Sequence, residues 1–114
     1  MIAHLVLFTP RADLPVEERR ALAAAFAQAA RAIPSVRGVR VGRLIRHGAR
    51  YESAPAAPPA FAAIIEFDDV AGLRAYLDHP AHEGLGTCLR EAVSEAAVYD
   101  FEVGGLDFLE DLVR

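Results

Sequence analysis

Two short stretches, Ile2–Phe8 and Phe61–Phe67, constrain this chain more than any other feature. Successive side chains along a strand point to opposite faces, so a strand with one wet face alternates apolar and polar residues. Ile2, Val6 and Phe8 are instead opposed by Ala3, Leu5 and Leu7, and Phe61–Phe67 is apolar through Ile65 without alternation. Both stretches ask for burial on two faces and read as central strands. By contrast, Tyr99, Phe101 and Val103 alternate with Asp100 and Glu102, as an edge strand does.

The remaining elements follow from punctuation and spacing. Thr9-Pro10 ends the first strand. A helix is expected from about Pro15 to Ile33, with Asp13 placed to cap it, Pro15 in its first turn and Glu17 and Glu18 at the positive end of its dipole. Leu22, Phe26, Ala29 and Ile33 form its apolar stripe, and Pro34 ends it. Val36–Arg46 reads as a second strand, with Gly38 and Gly42 as bulge or close-approach positions. His47–Pro59, with Gly48, Pro55, Pro58 and Pro59, reads as a loop. After Phe61–Phe67, Asp68 and Asp69 supply an N-cap for a short helix, Val70–Leu77. A further helix runs from Pro80 to about Ala96, with Leu85, Leu89 and Val93 at four-residue intervals, and Ala97–Val103 is the last strand.

Strand, helix, strand, strand, helix pair, strand is the order of an α+β, ferredoxin-like βαββαβ protomer with a four-stranded antiparallel sheet. Right-handed crossovers put the first and third strands at its centre. The helices can cover only one face of such a sheet, yet the central strands are apolar on both. A second copy of the same sheet is the most economical cover, so a homodimer forming an α/β barrel is expected. The domain is read as residues 1–103. Residues 104–114 form a tail in which Leu106, Leu109 and Val113 recur at helical spacing, as in a short amphipathic helix.

Composition narrows the chemistry. The chain has 114 residues, 54% of them hydrophobic, and all 12 of its basic residues are Arg. Without Lys there is no Schiff-base chemistry, no Lys base and no P-loop lysine. A net charge of -4 disfavours nucleic acid as a partner. Arg37, Arg40, Arg43 and Arg46 recur every third residue and read as a solvated, charged edge strand. Cys88 is the single cysteine, which rules out an internal disulfide, fits a reducing compartment and reads as an inert thiol. No leader and no apolar run of about 20 residues are visible, so a soluble, cytoplasmic protein without a membrane partner is expected.

The densest polar signal is Tyr76-Leu77-Asp78-His79-Pro80-Ala81-His82-Glu83-Gly84-Leu85-Gly86. His82 shares a helical face with Leu85 and Leu89 and so points inward, where an imidazole needs a partner or a function. Tyr76 falls on the flank of the Leu73 and Leu77 stripe. Gly84 and Gly86 weaken a helix, and space for a ligand or another backbone is one reason to keep them. His4 shares the face of Ile2, Val6 and Phe8. A base, a phenol and a second imidazole around an apolar pocket suit proton abstraction and enolate stabilisation. The competing reading makes the histidines satisfied core residues, with His79 a cap before Pro80. A metal set of His79, His82, Glu83 and His4 is disfavoured by Pro80 and by the absence of the HExxH spacing.

His4-Leu5-Val6-Leu7-Phe8, Glu66-Phe67-Asp68, Tyr76 with His79-Pro80-Ala81-His82, and Val98-Tyr99-Asp100-Phe101 together resemble the stress-responsive dimeric A/B-barrel (Dabb) family over residues 2 to 103. The resemblance implies a ferredoxin-like protomer whose sheet pairs with its twin. The family includes polyketide cyclases of the olivetolic acid cyclase type, which close a linear polyketide by aldol condensation without a cofactor. By that likeness, His82 is the base, Tyr76 positions the substrate carbonyl, and His4, Gly84 and Gly86 belong to the pocket of a small apolar carbonyl compound. No cofactor and no metal are implied. A non-catalytic stress-associated binding or structural protein, and a haem-handling or oxygenase relative of the same barrel, are the alternatives.

Overall fold

The computed structural model describes residues 1–54 and 56–114. Pro55, one of the prolines of the expected loop, lies outside the described residues. The chain runs β1 (Ile2–Pro10), α1 (Val16–Ala32), β2 (Gly38–Arg43), a 3-10 turn (Arg50–Ser53), β3 (Phe61–Phe67), α2 (Val70–Asp78), α3 (Pro80–Ala92), β4 (Val93–Glu102) and a 3-10 helix (Leu106–Val113). The four strands form one antiparallel sheet in the order β2-β3-β1-β4. The two strands with apolar residues on both faces are therefore the central ones, and β2 and β4 are the edges.

Residues directly opposite one another in an antiparallel ladder share a face. His4 pairs with Ile65 on one side and with Asp100 on the other, and Val6 pairs with Ala63 and Val98. This face carries the helices. Its core joins Val6, Phe8, Ala63, Ile65 and Phe67 to Leu22, Ala29 and Ile33 of the α1 segment, and to Leu73, Tyr76 and Leu85 of the helix pair. On the opposite face, Leu5, Leu7 and Ile64 stand beside Tyr99 and Phe101, which remain 52% and 53% exposed. Tyr99 and Phe101 of β4 thus point away from the helices, whereas its Val98 and Asp100 stand on the helix-covered face.

Local signals explain most boundaries. Asp69 caps α2, accepting from the Gly72 backbone N–H at 2.8 Å. His79 caps α3, its Nδ1 accepting from Ala81 N–H at 3.0 Å ahead of Pro80 in the first turn. A Cβ on Gly38 would sit 3.2 Å from Glu66 Oε1, so Gly38 answers a close approach, whereas Gly42 would meet only a carbonyl at 3.9 Å. On the edge, Arg37 bonds Asp68 at 2.9 Å and Arg40 reaches Glu66 at 3.4 Å, as a solvated charged strand should. Cys88 is half-buried, and its thiol is pushed up by burial first and then by Glu91 and Glu18. It stays protonated at neutral pH.

Three sequence expectations need correction. Asp13 does not cap α1: Pro15 occupies the cap position, two residues later, and no side chain bonds there. The Arg19 guanidinium instead donates to the Leu14 carbonyl at 2.8 Å. The second strand covers Gly38–Arg43 rather than Val36–Arg46, because its partner β3 begins at Phe61, opposite Arg43. The last helix ends at Ala92, and Val93–Ala96 belong to β4. β1 extends to Pro10 and offers backbone partners as far as Val93, so pairing overrides the continued four-residue spacing.

Candidate functional site

Three elements bring His4, Tyr76 and His82 together. β1 presents His4 on the helix-covered face at 3% exposure. α2 carries Tyr76, 2% exposed, and the turn of His79 and Pro80 starts α3 so that His82 lies in its first turn. Ring centroids lie 5.6 Å apart for His4 and Tyr76, 4.8 Å for Tyr76 and His82, and 5.1 Å for Tyr76 and Phe67.

Asp100 completes the group. Its Oδ1 lies 2.6 Å from His4 Nδ1. An ionised carboxylate only accepts, so Nδ1 carries the hydrogen and Nε2 is left free of it in the neutral ring. The pair is charge-assisted and joins residues that face one another directly across the β1–β4 ladder. Sequence reasoning missed Asp100 as a partner of His4. The signal was available: Asp100 is the polar member of the alternation with Tyr99 and Phe101, and the strand register sets it opposite His4.

The electrostatics give the two remaining groups distinct states. Burial pushes the Tyr76 hydroxyl up to about 12, so the phenol stays protonated at neutral pH. Burial also lowers His82 below the usual imidazole value; the neighbouring His4 adds to this, and the Leu77 carbonyl offsets part of it. At neutral pH the arrangement is a neutral imidazole able to take a proton beside a phenol able to donate a hydrogen bond.

An apolar cavity of about 500 Å³ lies between α1 and the β2–β3 half of the sheet. Leu22, Ala23, Phe26, Ala27 and Ala30 line it from α1, Val39, Val41, Phe61 and Ala63 from the sheet, and Arg19 stands in the wall towards the start of α1. Phe8 stacks on Phe26 and Phe61 at 5.5 and 5.4 Å along its edge. The space exists because Ala23, Ala27 and Ala30 are too short to fill the gap to β2. The alanine run is visible in the sequence, but only the setting of α1 against β2 makes it a cavity wall.

His4, Tyr76 and His82 do not line this cavity. Ala63 does, and the next residue on its face is Ile65, the partner of His4, so the aromatic group begins one row, about 7 Å, further along the sheet. Gly84 and Gly86 do not line it either. Gly84 is exposed, and a Cβ there would meet nothing within 4 Å, while one on Gly86 would meet the Arg90 side chain at 3.3 Å. Packing therefore requires glycine at neither position.

The Dabb model, the stress responsive A/B barrel domain, matches residues 2–103. The chain belongs to this family. Among solved structures, a dimeric ferredoxin-like protein of unknown function from Bacteroides fragilis is 29% identical, with a TM-score of 0.62 over 90% of this chain and 95% of that one. The hydroxynitrile lyase of Passiflora edulis is 14% identical, with a TM-score of 0.74 over 90% and 93% of the two chains. The cofactor-independent oxygenase SnoaB of Streptomyces nogalater is 20% identical, with a TM-score of 0.66 over 92% and 95%. The likeness of the Dabb domain to these two enzymes is one of fold. No curated protein matches the sequence. No helix among the described residues is long and apolar enough to cross a membrane.

Proposed function

We propose that this Dabb domain acts as a homodimer on a small, largely apolar carbonyl compound held between the sheet and the helices, by acid/base chemistry without a cofactor. The observation that carries the reading is the contact between a neutral imidazole, His82, and a protonated phenol, Tyr76, in a group that begins one row along the sheet from an apolar cavity. In this reading the substrate's chain fills the cavity and its carbonyl reaches the aromatic group. His82 removes a proton α to the carbonyl, and the electron pair of the broken C–H bond passes to the carbonyl oxygen as an enolate. The Tyr76 hydroxyl hydrogen-bonds that oxygen and strengthens as charge develops. Carbon–carbon bond formation or reprotonation of the enolate completes the reaction, and His82 returns the proton. His4, oriented by Asp100, packs its ring against Tyr76 and keeps the phenol in place. With no Lys in the chain, an enamine route through an amine is closed.

The uncovered apolar face of Leu5, Ile64, Tyr99 and Phe101 supports the homodimer, as does the dimeric state of the 29% identical relative. Residues 1–103 are the working unit of this proposal, and the single cysteine suits the cytoplasm.

A second reading, ligand binding without catalysis, is favoured by one observation: the cavity wall contains neither His nor Tyr among the described residues. The same observation weighs against a haem-handling role that uses an imidazole facing the cavity. Exchange of the α-protons of 2-nonanone in D₂O, followed by NMR, separates the readings. Exchange accelerated by the protein and lost in His82→Gln supports catalysis. Binding seen by saturation transfer without exchange supports the binding protein, and absence of both refutes the carbonyl ligand.

A further inference from the structure

The last element of the chain has no cover in its own protomer. Every residue of the 3-10 helix Leu106–Val113 is exposed, with Leu106, Leu112 and Val113 at 85%, 79% and 86%. A helix this short is marginal in water, and so much bare apolar surface calls for a partner. The helix is also acidic. Asp111 is compensated by Arg114 at 3.4 Å, but Asp107 and Glu110 form no ion pair among the described residues.

The complementary surface lies at the end of β2 and in the loop that follows. Arg43, Arg46 and Arg50 form no ion pair among the described residues. The acid of that loop, Glu52, accepts from His47 N–H at 3.0 Å and Ala49 N–H at 2.7 Å; Arg46, which donates to the Glu52 carbonyl at 3.4 Å, adds a weaker attraction, and Arg43 and Arg50 are left without an acid among the described residues. Between the arginines, Leu44 and Ile45 are bare, and a small hollow of about 170 Å³ opens beside them. One surface is acidic and apolar, the other basic and apolar.

Within one protomer the two cannot meet. The tail leaves β4 at the row of Ile2 and Glu102, whereas the loop leaves β2 at the row of Phe61 and Arg43. These are opposite edges and opposite ends of the sheet. They lie about 14 Å apart across the strands and about 20 Å apart along them. A helix of this kind is about 16 Å long, too short to start at one corner and lie against the other. A two-fold axis between two stacked open faces, running along the sheet diagonal that does not join these two corners, removes the separation. It sets the strands of the two sheets across one another at about 70° and brings the β4 corner of each sheet to the β2 corner of the other.

We propose that the tail helix of each protomer clasps the β2–β3 loop of its partner. Its leucines cover the partner's Leu44 and Ile45, and Asp107 and Glu110 face the partner's Arg43, Arg46 and Arg50. The inference rests on the homodimer reading above and adds to it a second, symmetric pair of contacts outside the facing sheets.

Sedimentation equilibrium of the full chain and four variants tests this. Truncation after Gly105, the double reversal Asp107→Arg with Glu110→Arg, and the double reversal Arg43→Glu with Arg46→Glu should each raise the dimer Kd by about ten-fold or more. Combining the two reversals in one chain should return it to within about three-fold of the parent, because the charges again oppose one another. An unchanged Kd on truncation overturns the clasp even if the reversal variants fail to fold. Failure of the combined, folded chain to recover overturns the assignment to the β2–β3 loop. A parent chain that is monomeric at micromolar concentration refutes the homodimer reading itself, an outcome distinct from either.

Discussion

Tyr76 is where stability and chemistry can be separated by a single atom. Its ring is almost fully buried and packs on Phe67, His4 and His82. Its hydroxyl is raised to about 12 by desolvation, yet it is not one of the fully buried side-chain oxygens and nitrogens that lack a partner, which among the described residues are Arg11 Nε and Ser35 Oγ. Tyr76→Phe keeps every ring contact and deletes only that oxygen. An oxygen that makes no side-chain bond in the protein and still touches solvent carries neither a folded-state hydrogen bond nor a full desolvation penalty, so its removal changes stability by less than about 1 kcal/mol. In a domain of this size that is a shift in Tm of less than about 5 °C. Tyr76→Ala removes the ring as well and should lose about 3–5 kcal/mol through the hole it leaves under β1. Urea unfolding of the three proteins, compared at a common m-value, measures the difference. Exchange of 2-nonanone α-protons, run on the same samples, should fall about 10- to 100-fold in Tyr76→Phe, since the enolate loses its hydrogen bond. If Tyr76→Phe instead lost about 2 kcal/mol or more, the hydroxyl would be holding the core together and the reasoning would fail.

Three further outcomes are expected. His82 is held below its ordinary value of 6.5, chiefly by burial. As pH falls through that value, the unfolded chain takes up a proton that the folded chain resists. Stability is therefore complete above 6.5, declines on acidification below it, and levels off once pH passes the folded value; in His82→Gln the urea midpoint loses this part of its pH dependence. Asp100→Ala leaves the buried His4 Nδ1–H without an acceptor and should cost about 1–3 kcal/mol in urea unfolding, with Asp100→Asn recovering part of the loss by keeping a carbonyl oxygen there. Ala27→Phe projects into the apolar cavity and should weaken 2-nonanone binding by about ten-fold, read by saturation-transfer NMR, while changing stability by less than about 1.5 kcal/mol; undiminished binding would show that the ligand sits elsewhere.

What the residue pattern determined unaided was the architecture. Two-faced apolarity marked Ile2–Phe8 and Phe61–Phe67 as central strands, and the observed order β2-β3-β1-β4 agrees. Asp69 and His79 were readable as caps because a cap acts within three residues of itself. The same locality explains the errors. Nothing near Val93 in sequence says that Pro10 waits across the ladder to pair with it, so the helical spacing runs on past the residue where the helix ends. His4 and Asp100 are 96 residues apart and meet only through strand register. The cavity exists because three alanines of α1 happen to face β2, a matter of how two distant elements are set against each other. The tail's helical spacing was legible, but its isolation from its own domain, and the unopposed arginines at the far corner of the sheet, were not. Periodicity and capping are short-range and act along the chain, whereas register, cavities and uncompensated charge depend on which distant segments come to lie side by side. Only the tertiary structure decides that.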